Sequence, residues 1–213
     1  MKVLKFNANE REEWLFTRRG KITGSKLKDI VVKRGMGKKI GFYELIAERL
    51  GVPADQESPI ERGARLEEEA MGRFAEETKK EVDTSLVIWT RDENESIAIS
   101  PDGVVSDTEA VEAKCLSSAR HIEAFLTQEV PDEYLMQGIQ YFIVNDNLKT
   151  LHFVFYDPRF SMFVAPDTAK KNAIDYFVIQ MKRTDVQKEV EEYLEYQRNI
   201  LKEVDEIVNN LTF

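Results

Sequence analysis

Apolar residues recur along this chain at spacings typical of helices over much of its length. Leu66, Ala70 and Phe74 lie four residues apart and predict a helix over residues 60–80. Similar patterns, with Ser, Thr or Asp near several of the starts, predict further helices at 9–16, 22–32, 42–51, 118–127, 132–144 and 167–183.

Other stretches have the dense apolar or alternating pattern of strands. They are LVIWT (86–90), SIAIS (96–100), EAVEAKC (109–115), TLHFVFY (150–156) and MFVAP (162–166). Helices interleaved with strands predict a mixed α/β or α+β fold, in which helices flank a central sheet. We expect a single domain over residues 1–213, with a core at about 14–166 and a C-terminal helical extension at about 167–213.

The end of the chain carries a heptad-like stripe. Apolar residues recur there at alternating steps of four and three, with Gln197 in the one missing position: Val186, Val190, Tyr193, Ile200, Val204, Ile207 and Leu211. This pattern predicts a long helix. It leaves open whether the helix lies on the core or contacts another copy of the chain.

The segment ISPDGVVSDTEAVEAKC (99–115) has an unusual distribution of charge for a hairpin. Side chains alternate between the faces of a strand, so Glu112 and Lys114 share one face. The opposite face is apolar and can enter the core: Val111, Ala113 and Cys115. We expect Pro101 to end the preceding strand and Gly103 to allow a turn, so that Asp102 converges on Glu112.

Two converging carboxylates repel each other and need a proton or a cation between them. Carboxylate oxygens suit Mg²⁺ or Mn²⁺, and an ammonium beside them could polarise water or stabilise phosphate charge. Asp102, Glu112 and Lys114 therefore indicate metal-assisted phosphodiester hydrolysis. A surface Glu–Lys pair of little energetic value is the alternative that the residues alone leave open.

Composition and charge limit the class of protein to which this chain can belong. The 213 residues are 42% hydrophobic and carry a formal net charge of −9. No apolar run approaches the ~20 residues of a membrane span, and no signal-like core is seen near Met1. The single Cys excludes an intrachain disulfide framework or a cysteine-held metal cluster, and we expect a cytoplasmic location.

A net charge of −9 argues against nucleic acid, but the distribution of charge is uneven. Residues 17–40 carry nine Lys or Arg and one acid, so that this stretch is +8 and the rest of the chain is −17. The stretch could bind an anion such as phosphate, or it could be a solvated helix face and loop.

Five segments, in order, resemble the YqaJ-type viral recombinase family, to which the lambda exonuclease belongs. SPDGVV and VEAKC resemble the PD-(D/E)xK nuclease core of that family. ITGS (22–25), after Arg18 and Arg19, resembles its phosphate-binding segment, and RGARLEEEA (62–70) its RG-x-x-x-E helix. VPDEYLMQGIQ (130–140) resembles its VP-x-x-Y-x-x-Q-x-Q helix.

The resemblance implies a restriction-endonuclease-like core with a central mixed β-sheet. It implies a 5′-to-3′ exonuclease that acts on linear double-stranded DNA and leaves 3′ single-stranded overhangs for phage-type recombination. Two Mg²⁺ ions, for which Mn²⁺ can substitute, a single-strand annealing protein and a ring-shaped homotrimer are implied as well. If the chain is phage-encoded, its location is the cytoplasm of a bacterial host cell.

The resemblance also assigns roles to individual residues. Asp102, Glu112 and the backbone carbonyl of Ala113 would hold metal, and Lys114 would position the attacking water. Glu67 matches an additional acid near the metals, for which Glu68 is the substitute. Further matches are an active-site glutamine, Gln137, and residues that receive the DNA 5′-phosphate, Arg18, Thr23 and Ser25. Neighbouring basic residues are weaker candidates for DNA contact: Arg19, Lys21, Lys26, Arg34 and Lys38.

Two other functions remain open. A structure-specific endonuclease or junction resolvase would use the same catalytic core, and only the choice of substrate would differ. A non-catalytic DNA-end binding module would have a degenerate site, which the intact Asp102, Glu112 and Lys114 set disfavours.

Overall fold

Helices surround a mixed sheet in the computed structural model, which describes residues 10–19, 21, 27–32, 37–54, 57–164 and 174–211. The helices are α1 (Arg11–Arg18), α2 (Leu27–Ile30), α3 (Ile40–Arg49), α4 (Pro59–Thr78), α5 (Ser118–Thr127), α6 (Asp132–Val144) and α7 (Arg183–Leu211). The strands are β1 (Trp89–Arg91), β2 (Asn94–Ile99), β3 (Gly103–Ser106), β4 (Glu109–Lys114), β5 (Thr150–Tyr156) and β6 (Tyr176–Lys182).

The main sheet has the strand order β3-β4-β5-β6. Strands β4 and β5 are parallel, with Glu109 opposite Thr150 and Lys114 opposite Phe155, and the connection between them contains α5 and α6. The pairs β3–β4 and β5–β6 are antiparallel, and β1 and β2 form a separate two-stranded sheet. The predicted fold class, a central mixed sheet flanked by helices, is confirmed.

The two faces of the sheet are covered by different helices. Helix α4 packs on one face, where Leu66 and Phe74 join Val111 and Cys115 in a buried cluster. Helix α6 and the first part of α7 pack on the other face in the larger cluster, whose buried members include Ile139, Phe142, Phe153, Phe155 and Val190. A third cluster joins α3 and α5 through Tyr43, Ala47 and Ile122.

Capping residues define both ends of helix α4. The hydroxyl of Ser58 accepts a hydrogen bond from the Glu61 amide, and the Glu61 carboxylate accepts one from the Ser58 amide, at 3.3 and 2.9 Å. Pro59 follows at the first helical position, and Lys79 ends the helix in the left-handed conformation with φ of 58°. The predicted helix over 60–80 is confirmed to within two residues at each end.

The predicted hairpin turn at Pro101–Gly103 is wrong. The segment 94–99 pairs with β1, whereas β4 pairs with β3 across a turn at residues 107–108. Gly103 therefore lies at the start of a strand, opposite Val111. A Cβ atom there would lie 2.7 Å from Cγ1 of Val82, so glycine serves a close approach rather than a turn.

Two predictions near residues 162–183 are also wrong. Residues 160–164 form a π-helical turn instead of a strand. The helix expected to run to Arg183 is replaced over Tyr176–Lys182 by β6, which pairs with β5 over seven residues. Residues 165–173, including the expected cap Asp167, lie outside the described part of the chain. A short, nearly continuous apolar run does not distinguish a strand from a helix, and pairing with β5 decides the outcome here.

Helix α7 has a kink at Val186 and lies partly on the core. Val190 is buried and Tyr193, Leu194 and Leu201 are half-buried, whereas every residue from Lys202 to Leu211 is exposed. No helix among the described residues is both long enough and apolar enough to span a bilayer.

Candidate active site

The site forms where β4 ends against α6. Glu112 is 2% exposed, and its Oε1 lies 2.5 Å from Nζ of Lys114, two residues along the same face of the strand. Asp102 immediately precedes β3, and its Oδ2 accepts a hydrogen bond of 2.8 Å from the backbone amide of Ala113. The structure therefore brings Asp102, Glu112 and Lys114 together.

Helix α6 supplies two more hydrogen bonds to the buried Glu112 carboxylate. Nε2 of Gln137 donates to Oε1 at 2.6 Å, and the hydroxyl of Tyr141 donates to Oε2. Gln137 and Tyr141 are four residues apart, so they project from one face of the helix. With Lys114, three donors hold this carboxylate, which is what a buried charge requires.

The same face of α6 also contacts the lysine. Nζ of Lys114 lies 4.6 Å from the ring centroid of Tyr134, a distance at which the ring attracts the ammonium. Lys114 is thus held between a carboxylate and an aromatic ring. Tyr134 and Gln137 therefore lie on the side of α6 that faces the polar side chains of β4.

The carboxylate of Asp102 is electrostatically strained. Its pKa is raised from 3.8 to about 7, mainly by burial and also by the negative charges of Glu112 and Glu67, while the Ala113 amide and Lys114 act in the opposite direction. Burial and the Glu112 charge also raise the pKa of Tyr141 far above its ordinary value, so its hydroxyl remains a proton donor to Glu112. This is the pattern of a site that gains from a bound cation.

Asp102 opens to a cleft that α4 lines with acids. The cleft has a volume of about 540 Å³, and Glu67, Glu68 and Thr84 contribute to its wall. Both Glu67 and the alternative candidate Glu68 therefore line the cleft. Of these two, Glu67 is the one whose charge raises the pKa of Asp102. Among the described residues, no three His, Cys, Asp or Glu side chains are gathered as ligands around a single point.

Part of the predicted basic segment is described. Nη2 of Arg19 donates to the carbonyl of Val52 at 3.0 Å, and Arg19 lines a cavity of about 220 Å³ together with Ser117, three residues beyond Lys114. Arg18 ends α1, Lys21 donates to the Thr17 carbonyl, and Lys38 lies over the ring of Phe42. The remaining candidates lie outside the described residues: Thr23, Ser25, Lys26 and Arg34.

Two contacts were missing from the sequence interpretation. It did not connect Tyr134 to Lys114 or Tyr141 to Glu112. The available signal was their position, three residues before and four residues after Gln137. Once Gln137 faces the site, helical spacing brings both tyrosines to the same side.

Comparison with known proteins gives a consistent result. The model of the YqaJ-like viral recombinase domain matches residues 13–147. An alkaline exonuclease (LHK-Exo) from Laribacter hongkongensis aligns over 94% of this chain and 100% of its own, with 26% identity and a TM-score of 0.53. The structure of LHK-Exo in complex with dAMP aligns with the same values.

A more remote similarity involves a phage related exonuclease from Haemophilus somnus 129PT. It aligns over 93% of this chain and 89% of its own, with 15% identity and a TM-score of 0.44, which is too distant to support an argument. No curated protein matches the chain.

Proposed function

The chain belongs to the YqaJ-like viral recombinase family, and we propose that it is a nuclease that digests linear duplex DNA from 5′ to 3′ and leaves 3′ single-stranded overhangs. The observation that carries this proposal is the buried Glu112 carboxylate, held beside Asp102 and Lys114 by donors from α6. Burying a carboxylate costs free energy even when donors satisfy its oxygens, and an apolar core does not need one. A functional role for Glu112 accounts for its position.

The similar solved structures support exonuclease chemistry. Both are of an alkaline exonuclease, and one contains dAMP. A nucleoside 5′-monophosphate is the product that stepwise 5′-to-3′ hydrolysis would release here. We therefore assign release of 5′-mononucleotides to this chain as part of the proposal.

The donor set fits a hard divalent cation, which we propose is Mg²⁺, with Mn²⁺ as a substitute and two ions as the expected number. Asp102, Glu112 and the carbonyl of Ala113 would hold it, with Glu67 as a further ligand. The raised pKa of Asp102 supports this fit, because a cation would relieve the repulsion that raises it. When bound, the cation would polarise the scissile phosphate and lower the pKa of a bound water.

The protein groups then have separate tasks. Nζ of Lys114 donates a hydrogen bond to the attacking water and keeps it oriented towards phosphorus. The water oxygen forms a bond to phosphorus as the bond to the 3′ oxygen breaks. The water releases one proton to solvent, and the leaving 3′ oxygen takes one up from solvent. Gln137 and Tyr141 hold the orientation of Glu112 throughout, since each donates to one of its oxygens.

We propose that the basic stretch 17–40 recognises the end of the DNA. Arg18, Thr23 and Ser25 would bind the 5′-phosphate, and Arg19 lies beside a cavity that also contains Ser117. The positive charge of residues 17–40 would attract DNA locally although the whole chain is −9. By the family relationship, we also propose a single-strand annealing protein as partner and a ring-shaped homotrimer as the assembly.

Digestion of linear DNA tests the function directly. A 5′-phosphorylated duplex with Mg²⁺ should release acid-soluble nucleotides, Lys114→Ala should be nearly inactive, and the exposed Lys188→Ala should match the wild type. Label at one 5′ end should be released before label at the 3′ end of the same strand. Equal activity of Lys114→Ala and wild type would refute the assignment of the site.

Covalently closed plasmid separates an exonuclease from an endonuclease with the same chemistry. The purified protein should leave such a plasmid intact and digest it after it is linearised. Nicking of the closed circle would instead identify an endonuclease or resolvase. Binding to DNA ends without nucleotide release, with Mg²⁺ or Mn²⁺ present, would identify a binding module.

A further inference from the structure

Arg91 is a buried cation that lies outside the candidate active site. It ends β1, in the small two-stranded sheet, and is only 9% exposed. A buried guanidinium needs partners for its charge and for its N–H donors. Arg91 finds them at the end of α6, the helix whose side chains hold Glu112. These contacts connect the small sheet to the active-site carboxylate.

Two contacts join Arg91 to the last turn of α6 and to the loop that follows. Nη1 donates to the backbone carbonyl of Ile143. The guanidinium also binds both carboxylate oxygens of Asp146, with Nη1–Oδ1 at 2.9 Å and Nη2–Oδ2 at 3.0 Å. Carbonyls at the C-terminus of a helix carry partial negative charge, and α6 has no basic residue of its own in its last turn. Arg91 therefore fixes this helix end from another part of the chain.

Arg183 binds the same end of α6. Its guanidinium donates to the carbonyls of Phe142, Asn145 and Leu148, at 2.5, 2.6 and 2.8 Å. These hydrogen bonds remain when Arg91 is replaced. Loss of Arg91 should therefore shift the helix end without unfolding the protein.

Tyr141 is the active-site group that β1 contacts most directly. It lies two positions before Ile143, and its hydroxyl donates to Oε2 of Glu112. The ring of Trp89, on the same face of β1 as Arg91, meets the Tyr141 ring edge-on, with the ring centroids 6.2 Å apart. Strand β1 thus holds both the backbone near Tyr141 and its ring. A shift of α6 would weaken the hydrogen bond to Glu112, because such bonds depend steeply on distance and angle.

We propose that Arg91 is a positioning residue for the nuclease reaction. Its hold on the end of α6 keeps the Tyr141 hydroxyl and the Gln137 amide directed at Glu112. The described hydrogen bonds of Arg91 go to Glu93, Ile143 and Asp146, so it acts through the helix and not by contact with a proposed metal ligand. The inference rests on the proposed nuclease function and adds a remote residue to it.

Mn²⁺ titration of the full chain measures this effect without DNA. Arg91→Ala should bind Mn²⁺ about 10-fold more weakly than the wild type, since residues that orient a metal ligand have effects of this order. In digestion assays kcat should fall while KM for DNA stays the same. Asp146→Asn weakens the same ion pair at a side chain that is 69% exposed, so it should fold and show a smaller loss. The control Arg198→Ala removes the exposed arginine that also binds Glu93 and should leave both measurements unchanged.

Rescue by guanidinium separates a positioning role from general damage to the fold. Arg91 and Asp146 line a cavity of about 580 Å³, which can admit a small ion to the vacated position. Guanidinium far below denaturing concentrations should restore Mn²⁺ affinity to Arg91→Ala, whereas potassium at equal ionic strength should not. In a Tyr141→Phe background, Arg91→Ala should have a smaller effect than in the wild type, because the two residues act through one hydrogen bond.

The outcomes distinguish the role of Arg91 from the proposed function. If the wild type binds Mn²⁺ and digests DNA, and Arg91→Ala and Asp146→Asn bind Mn²⁺ equally well, the role of Arg91 is overturned while the nuclease assignment stands. A loss that guanidinium does not restore would show a merely structural role and would overturn it too. A wild type that neither binds Mn²⁺ nor digests DNA would overturn the proposed function, and this inference with it.

Discussion

Strand β4 has two faces that are almost equally buried and have opposite chemistry. Towards α4 it presents Val111, which is fully buried, and Cys115, which is 8% exposed, in an apolar cluster. Towards α6 it presents Glu112, which is 2% exposed and needs three donors to be tolerated there. Burial on the first face stabilises the fold, whereas burial on the second costs stability and preserves a geometry.

The comparison teaches how to separate stability from function in one short segment. A core side chain can be exchanged for another of similar volume, but the partners of Glu112 must present particular atoms. Substitutions on the two faces should therefore affect different measurements. The following four predictions test that separation.

The largest expected contrast is between Lys114→Ala and Val111→Ala. Removing the ammonium should lower nuclease activity by about 10²–10³-fold, as loss of one positioned donor does in other enzymes, and should also lower Tm because the buried Glu112 loses its charged partner. Removing the Val111 methyl groups should lower the free energy of unfolding by about 2 kcal/mol and leave activity intact below Tm. Loss of both properties in both variants would remove the distinction between the faces.

Tyr141→Phe removes a buried hydroxyl of α6 that donates a hydrogen bond to Glu112 on the polar face of β4. We expect activity to fall about 10- to 100-fold, because a residue that orients a metal ligand typically has an effect of that size. Direct titration with Mn²⁺ should show weaker binding, and Phe142→Leu on the apolar side of α6 should not weaken it. Unchanged Mn²⁺ affinity in Tyr141→Phe would show that this hydroxyl has no role in holding Glu112.

The raised pKa of Asp102 predicts how the metal-free protein responds to pH. The unfolded chain releases this proton near pH 4 and the folded chain near pH 7, so the Asp102 contribution to the free energy of unfolding falls as pH rises between these values. Asp102→Asn keeps an acceptor for the Ala113 amide but cannot ionise. Without metal at pH 8, it should melt a few degrees above the wild type, although it is inactive.

Thermal melting with and without Mg²⁺ at pH 6 and pH 8 provides the measurement. Mg²⁺ should raise the wild-type Tm more at pH 8 than at pH 6 and should have little effect on Asp102→Asn. A lower metal-free Tm for Asp102→Asn at pH 8 would contradict the electrostatic strain at this carboxylate.

The smallest expected effect concerns Cys115 on the apolar face. Burial is the main cause that raises the pKa of its thiol to about 12, so very little thiolate exists at pH 8. Iodoacetamide should leave the native protein unmodified over hours and should react promptly after denaturation. Rapid native modification would mean that the apolar face opens to solvent.

Much of the fold follows from local pattern. The bounds of α5 and α6 agree with the predicted helices at 118–127 and 132–144, because amphipathic spacing identifies helices of this length well. The alternation that puts Glu112 and Val111 on opposite faces is equally local. The family membership was predicted from the order of five short segments and is confirmed by the match over residues 13–147.

The remaining features depend on contacts between distant parts of the chain. Strand β6 was predicted as a helix, since pairing with β5 rather than local preference decides its conformation. The glycine at position 103 has its role because Val82 approaches it from another segment. Tyr141 reaches Glu112 from 29 positions along the chain, so local spacing alone could not identify it as a partner.

The hydrogen bond between Asp102 and the amide of Ala113 has a consequence for folding fidelity. It forms only when β3 and β4 pair in the observed register, because a slip would move the Ala113 amide away from Asp102. A slip of one residue would also exchange the two faces of β4. Such a slip would put Glu112 against Phe74 and Leu66 of α4 and would turn Val111 towards the donors of α6. A chain with this error would lose its core and its chemistry together, so misfolded copies that still cut DNA should not accumulate.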